Sequence, residues 1–106
     1  MPSLSSHVLD TTLGKPAVGM PLTLKTPDGQ CVEGITNADG RCNEWQGIRL
    51  TTGTYTLQFN TGDYLRSHHG SAFYPHADIT FCIETDEHYH IPLLISPFGY
   101  STYRGS

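Results

Sequence analysis

Six histidines stand in this 106-residue chain beside only two lysines, Lys15 and Lys25. Imidazole is the side chain whose ordinary pKa lets it take and return a proton near neutrality. Leu4-Ser5-Ser6-His7-Val8-Leu9-Asp10 reads as a strand that carries His7 on the face of Ser5 and Leu9. In Glu87-His88-Tyr89-His90-Ile91-Pro92-Leu93-Leu94 the two histidines are two residues apart, so a strand puts both rings on one face. Arg41 follows an Asp39-Gly40 turn. Its charge is permanent, and it can hold an anionic substrate or a developing oxyanion through paired hydrogen bonds. In a chain so poor in cations, one arginine in a pocket selects a small acidic or urea-like planar ligand. The last eight residues, Gly99 to Ser106, are rich in hydroxyls. These groups together read as metal-free acid–base catalysis.

Each group also has a plainer reading. A lone strand histidine is more often structural, which applies to His7. His88 follows the acidic turn Glu84 to Glu87 and reads as solvated. His68 and His69, beside Gly70, read as solvent-facing, and His76 as a loop residue. Arg41 by itself is a surface hairpin charge, and the terminal tyrosines are packing. His7, His88 and His90 would also make a three-imidazole zinc set with an open position, although the spacing of structural zinc sites is absent.

Strands must position these residues. Thirteen threonines, eleven glycines and six tyrosines sit beside four alanines, a composition poor in helix formers and rich in β-branched and aromatic residues. Gly14-Lys15-Pro16, Pro27-Asp28-Gly29, Asp39-Gly40, Thr52-Gly53, Thr61-Gly62, His69-Gly70, Thr85-Asp86 and Pro97 to Gly99 mark turns at regular intervals. Leu22 and Leu24 alternate with Thr23 and Lys25. Tyr55, Leu57 and Phe59 point inward and Thr54, Thr56 and Gln58 outward. Ile79, Phe81 and Ile83 repeat the pattern. Ile91 to Ile95 is apolar throughout, as in a strand covered on both faces, for example by another subunit. Asp63 to His69 lacks period-2 alternation, and Thr61 or Asp63 can cap a short helix there. The expectation is an all-β sandwich or barrel with one short helix near residues 63–69.

Length and charge set the outer bounds. One domain, 1–106, is expected, and a chain this long buries roughly two-thirds of its unfolded surface. The formal net charge of −4 and the lack of a basic patch argue against nucleic acid. No apolar run approaches the ~20 residues of a membrane helix, and the first ten residues carry no secretory pattern. Cys31, Cys42 and Cys82 are odd in number and lack C-x-x-C spacing, so they read as reduced and mostly packed in a cytoplasmic protein.

As a group the motifs are more specific than any one of them. The chain resembles the transthyretin-like 5-hydroxyisourate hydrolases. The segments that carry the likeness run in order: Leu4 to Asp10 with Gly14-Lys15-Pro16-Ala17, then Ala38-Asp39-Gly40-Arg41, then Phe59-Asn60-Thr61-Gly62-Asp63-Tyr64 and Phe73-Tyr74-Pro75. Last come His88-Tyr89-His90-Ile91-Pro92-Leu93-Leu94 and the Tyr100 to Ser106 stretch, with Tyr103-Arg104-Gly105-Ser106 as the signature. The resemblance implies a prealbumin-like, two-sheet Greek-key sandwich of about eight strands. It implies a homotetramer, a dimer of dimers, with active sites between dimers. It implies hydrolysis of 5-hydroxyisourate to a ureidoimidazoline carboxylate, without a cofactor or metal. The family's catalytic positions fall on His7, Arg41, His90 and Ser106, with Tyr103 as a pocket wall. His88 stays peripheral, and Arg104 is expected to meet the chain-end carboxylate or a neighbouring subunit. The competing readings are a transthyretin-type carrier of small hydrophobic ligands and a His-liganded zinc hydrolase.

Overall fold

A computed structural model describes residues 1–105. In chain order the elements are β1 (Ser3–Asp10), β2 (Lys15–Pro16), β3 (Pro21–Lys25), β4 (Cys31–Ile35), β5 (Arg41–Cys42), β6 (Gly53–Phe59), α1 (Thr61–His69), β7 (Ala77–Ile83), β8 (His88–Ser96) and β9 (Gly99–Thr102). One sheet runs β2-β1-β8-β9, with β5 also paired to β1, and the other runs β4-β3-β6-β7. The nine strands among the described residues include two of only two residues, β2 and β5.

Alternation builds the core between the sheets. Leu4 and Val8 of β1 and Leu93 and Ile95 of β8 meet Leu22, Leu24, Tyr55, Leu57 and Phe59 of the second sheet, all buried. Each such side chain contributes roughly 1.5–3 kcal/mol of transfer free energy. On β7 Ala77 and Ile83 at the two ends are fully buried, while Ile79 and Phe81 pack partly against the core and border an open cleft. β8 keeps Ile91, Leu93 and Ile95 inward and buries Pro92 on the other face.

β1 and β8 run parallel over eight residue pairs, from Ser3 opposite His88 to Asp10 opposite Ile95. This pairing makes the outer face of the first sheet a single array in which Ser3, Ser5 and His7 of β1 lie beside His88, His90 and Pro92 of β8. Their partners on the inner face, Leu4, Ser6 and Val8, are buried.

Three expectations are corrected. The helix begins at Thr61 rather than residue 63, and Asn60 is its N-cap, with no side-chain capping bond from Thr61 or Asp63. It starts early because Gly62 N–H donates to the Pro75 carbonyl, tying the first turn to the loop before β7. Of the cysteines only Cys42 is packed; Cys31 and Cys82 are exposed, and all three are free. They lie on outward positions of β4 and β7, whereas Cys42 points inward opposite Ser6. His69 does not face solvent: its side chain is 10% exposed and its Nε2 lies 2.7 Å from Oδ2 of fully buried Asp10. The α1 axis aims the last turn back at the end of β1.

Candidate active site

The site is assembled on the outer face of the first sheet. β5 pairs antiparallel with β1 so that Arg41 stands directly opposite His7. A tight turn imposes this. Asn37 Oδ1 accepts from the backbone N–H groups of Asp39 and Arg41 at 2.9 and 3.0 Å. Gly40 has φ +73°, and a Cβ there would sit 2.7 Å from the Val8 carbonyl and 2.8 Å from Pro16 Cβ. Only glycine tolerates both the backbone angle and the approach. The Gly40 carbonyl in turn accepts from Val8 N–H at 2.8 Å, which clamps the turn to β1 one residue beyond His7.

On the other side of β1, Ser5 stands opposite His90. Its hydroxyl lies 2.7 Å from His90 Nδ1 and 2.9 Å from His88 Nε2. Ser3 Oγ lies 2.6 Å from the remaining ring nitrogen of His88, Nδ1. His88 is exposed, as read, yet both its nitrogens are engaged. The chain's last described residue closes the other flank of His90. Gly105 N–H donates to the His90 carbonyl at 2.9 Å, and a Cβ on Gly105 would meet the ring's Cδ2 at 2.5 Å. The tail is therefore pressed onto the imidazole.

The electrostatics follow from this crowding. Burial pushes the His90 pKa below its usual value, and the charges of Arg41, His7 and His88 push it further, against a hydrogen bond to the Ser5 backbone. His90 is thus held neutral, able to accept a proton from water or donate one from a ring N–H. Its sensitivity to Arg41 and His7 marks the three as electrostatic neighbours. Cys42, next to Arg41, points into the core, and burial raises its thiol pKa, which disfavours the reactive thiolate.

The other expected residues lie as follows. Tyr103 is 62% exposed and borders a cleft of about 600 Å³ with Phe81, Glu87, Tyr89, Ile91 and Arg104. This cleft opens between β7 and the β8–β9 edge, and its lining includes none of His7, Arg41 and His90. Arg41 borders a separate cleft of about 500 Å³ with Glu33, Asn37 and Glu44. Arg104 pairs with Glu87 at 3.0 Å and lies over the Tyr89 ring. Ser106 lies outside the described residues. Among the described residues no three His, Cys, Asp or Glu side chains are grouped to hold a metal ion.

Ser3, Ser5 and Gly105 are the site residues that the reading of motifs passed over. Ser5 had a signal, since period-2 alternation already set it on the His7 face. Its contact with His90 spans 85 residues of chain and needs the β1–β8 register.

The HIUase/Transthyretin family model matches residues 4–105. The chain belongs to this family. A 5-hydroxyisourate hydrolase of Mesorhizobium japonicum is 46% identical, over 97% of this chain and 91% of that protein. A probable 5-hydroxyisourate hydrolase of Schizosaccharomyces pombe is 42% identical, over 99% and 92%. Among solved structures, the 5-hydroxyisourate hydrolase of Klebsiella pneumoniae superposes with a TM-score of 0.88 at 39% identity, over all of both chains. Transthyretin from Sparus aurata superposes at 0.82 with 30% identity, over 97% and 96%. The sandwich is therefore shared by 5-hydroxyisourate hydrolases and by transthyretin, and the fold alone does not choose between them.

Proposed function

We propose that this chain hydrolyses 5-hydroxyisourate to 2-oxo-4-hydroxy-4-carboxy-5-ureidoimidazoline in urate catabolism. The observation that carries the reading is the register that puts Arg41 opposite His7 on β1, with His90, held neutral, on the same face of β8. The full-length likeness to relatives named for this activity supports it.

His7 and His90 orient and activate a water, which attacks the lactam carbonyl. The water's proton goes to an imidazole, and the new C–O bond leaves a tetrahedral oxyanion. Arg41 holds the substrate oxygens and stabilises that charge. The ring C–N bond then breaks, and the departing nitrogen takes a proton from an imidazole. Ser106 hydrogen-bonds the substrate or water, and Tyr103 walls the pocket. No cofactor enters, and the acid–base pair contributes roughly 10²–10⁴-fold per group. The working unit is one domain, 1–106, assembled as a homotetramer in the cytoplasm, with the site closed by a neighbouring dimer.

The test generates the substrate in place from urate and uricase and follows the ultraviolet decay of the intermediate. The protein should accelerate the decay, and His90→Ala and Arg41→Ala should each remove most of the acceleration. No acceleration over buffer refutes the hydrolase reading. A competing carrier reading has one observation in its favour, the likeness to sea bream transthyretin solved with thyroxine, at TM-score 0.83 and 30% identity. Saturable thyroxine binding together with unaccelerated decay would establish it instead.

A further inference from the structure

The hydroxyls of Ser3 and Ser5 and the rings of His88 and His90 form one unbroken line. Ser3 Oγ meets His88 Nδ1 at 2.6 Å, His88 Nε2 meets Ser5 Oγ at 2.9 Å, and Ser5 Oγ meets His90 Nδ1 at 2.7 Å. The line starts at exposed Ser3 and exposed His88 and ends at half-buried His90. A serine hydroxyl has a single hydrogen. Ser5 therefore cannot donate to both rings: it either accepts from both, or accepts from one and donates to the other, and only the second arrangement links the two rings through its hydrogen. While Ser5 donates to one ring and accepts from the other, the tautomer of His90 is tied to the tautomer of His88.

Two neutral states satisfy every contact with Ser5 both donating and accepting. In the first, His90 Nδ1–H donates to Ser5, Ser5 donates to His88 Nε2, and His88 Nδ1–H donates to Ser3. His90 then presents a bare Nε2. In the second, every bond is reversed: Ser3 donates to His88 Nδ1, His88 Nε2–H donates to Ser5, and Ser5 donates to His90 Nδ1. His90 then presents Nε2–H.

From this line we propose that Ser5 and His88 are positioning residues that convert His90 between base and acid by relaying a proton between His90 and solvent. The inference rests on the hydrolase reading above. When water attacks, its proton goes to His90 Nε2. The Nδ1 proton passes to Ser5, the Ser5 proton to His88 Nε2, the His88 Nδ1 proton to Ser3, and the Ser3 proton to bulk water. His90 is left neutral as the Nε2–H donor. It gives that proton to the departing ring nitrogen while the line runs backwards and takes one proton from solvent. Over the cycle no proton is gained or lost. Neither state needs an imidazolium, which suits a ring crowded by Arg41, His7 and His88. One histidine can therefore serve as base and then as acid, leaving His7 and Arg41 to hold the water and the oxyanion.

The test has an arm that does not depend on activity. Nitrogen-15 spectra of the labelled protein report each imidazole's tautomer. Ser5→Ala should shift both His90 Nδ1 and His88 Nε2, whereas Ser5→Thr, which keeps the hydroxyl, should leave both near their original positions. In the decay assay Ser5→Ala and His88→Phe should lower kcat by about tenfold or more, the scale of partners that orient a working imidazole, with KM nearly unchanged. Ser5→Thr should restore kcat. A proton inventory in mixed light and heavy water should curve for the unmodified protein, as several protons move together, and become linear for His88→Phe. Unshifted His90 nitrogen resonances in Ser5→Ala overturn the proposal, as does a His88→Phe protein with unaltered kcat and inventory. A protein that never accelerates decay but shows the coupled tautomers refutes the hydrolase reading and leaves the line itself standing.

Discussion

His69, the last residue of α1, sets its Nε2 2.7 Å from Oδ2 of Asp10, the last residue of β1. Asp10 is fully buried and also accepts from Tyr64 Oη at 3.0 Å and from the backbone N–H groups of Thr12 and Leu13. This joint ties α1 to the strand that carries His7. The buried carboxylate is stabilised by a full set of donors, two from the turn that follows β1 (Thr12 and Leu13) and two from α1 (Tyr64 and His69).

That joint makes stability depend on acid. Burial alone would raise the Asp10 pKa, but the bonds from His69, Leu13 and Tyr64 outweigh it and hold the group below its ordinary 3.8. A carboxylate with a depressed folded-state pKa adds stability that is fully present above the ordinary value and lost as pH falls through the folded-state value. Urea midpoints should therefore drop steeply only below about pH 4. His69→Ala should cost about 1–3 kcal/mol at pH 7 and flatten the acid dependence. An unchanged midpoint at pH 7 would show that the pair contributes nothing. The same network keeps Tyr64 protonated, its phenol pushed up to about 12 by burial and by the Asp10 charge.

His90 should titrate in the opposite sense from a surface histidine gaining a carboxylate. Its pKa lies below 6.5, so protonation is disfavoured in the folded protein. The group therefore carries no penalty above 6.5 and weakens the fold as pH falls through its lowered pKa. Proton NMR of its ring should give a midpoint below 6.5. Burial is the larger cause and stays in place in Arg41→Gln, but that variant removes a cation and should move the midpoint up. A midpoint at or above 6.5 in the unmodified protein would contradict the crowding described.

Gly105→Ala tests the tail pressed on His90. The added methyl would overlap ring carbon Cδ2, so the ring or the tail must move. Activity should fall by about tenfold to a hundredfold, since small misplacement of a reacting group carries costs of that size. Thermal stability should change little, because the residue lies beyond the last strand. Full activity would mean the tail does not hold the ring during turnover.

Gly40→Ala addresses the turn that sets Arg41 opposite His7. It combines a positive φ with a Cβ driven into the Val8 carbonyl. A loss of at least about 1–3 kcal/mol is expected from the backbone strain, alongside lost activity as β5 detaches from β1. Chemical denaturation read beside the decay assay distinguishes this outcome from a tolerated substitution.

The amino-acid order by itself determined which side chains share a face. Period-2 alternation sets Ser5 with His7 and His88 with His90, and sets Tyr55, Leu57 and Phe59 into the core, because successive strand residues point to opposite sides. Turn chemistry at Asp39-Gly40 also announced a sharp reversal before Arg41. The order of motifs along the chain was enough to suggest the family. Only the tertiary structure decided which faces meet. The parallel β1–β8 register brings Ser5 to His90, and the short β5 brings Arg41 to His7. The docking of α1 takes His69, adjacent to a glycine and read as a surface residue, into contact with a carboxylate 59 residues away. Local pattern specifies the direction of a side chain, but its partner depends on strand register and helix packing, which many distant core contacts settle together.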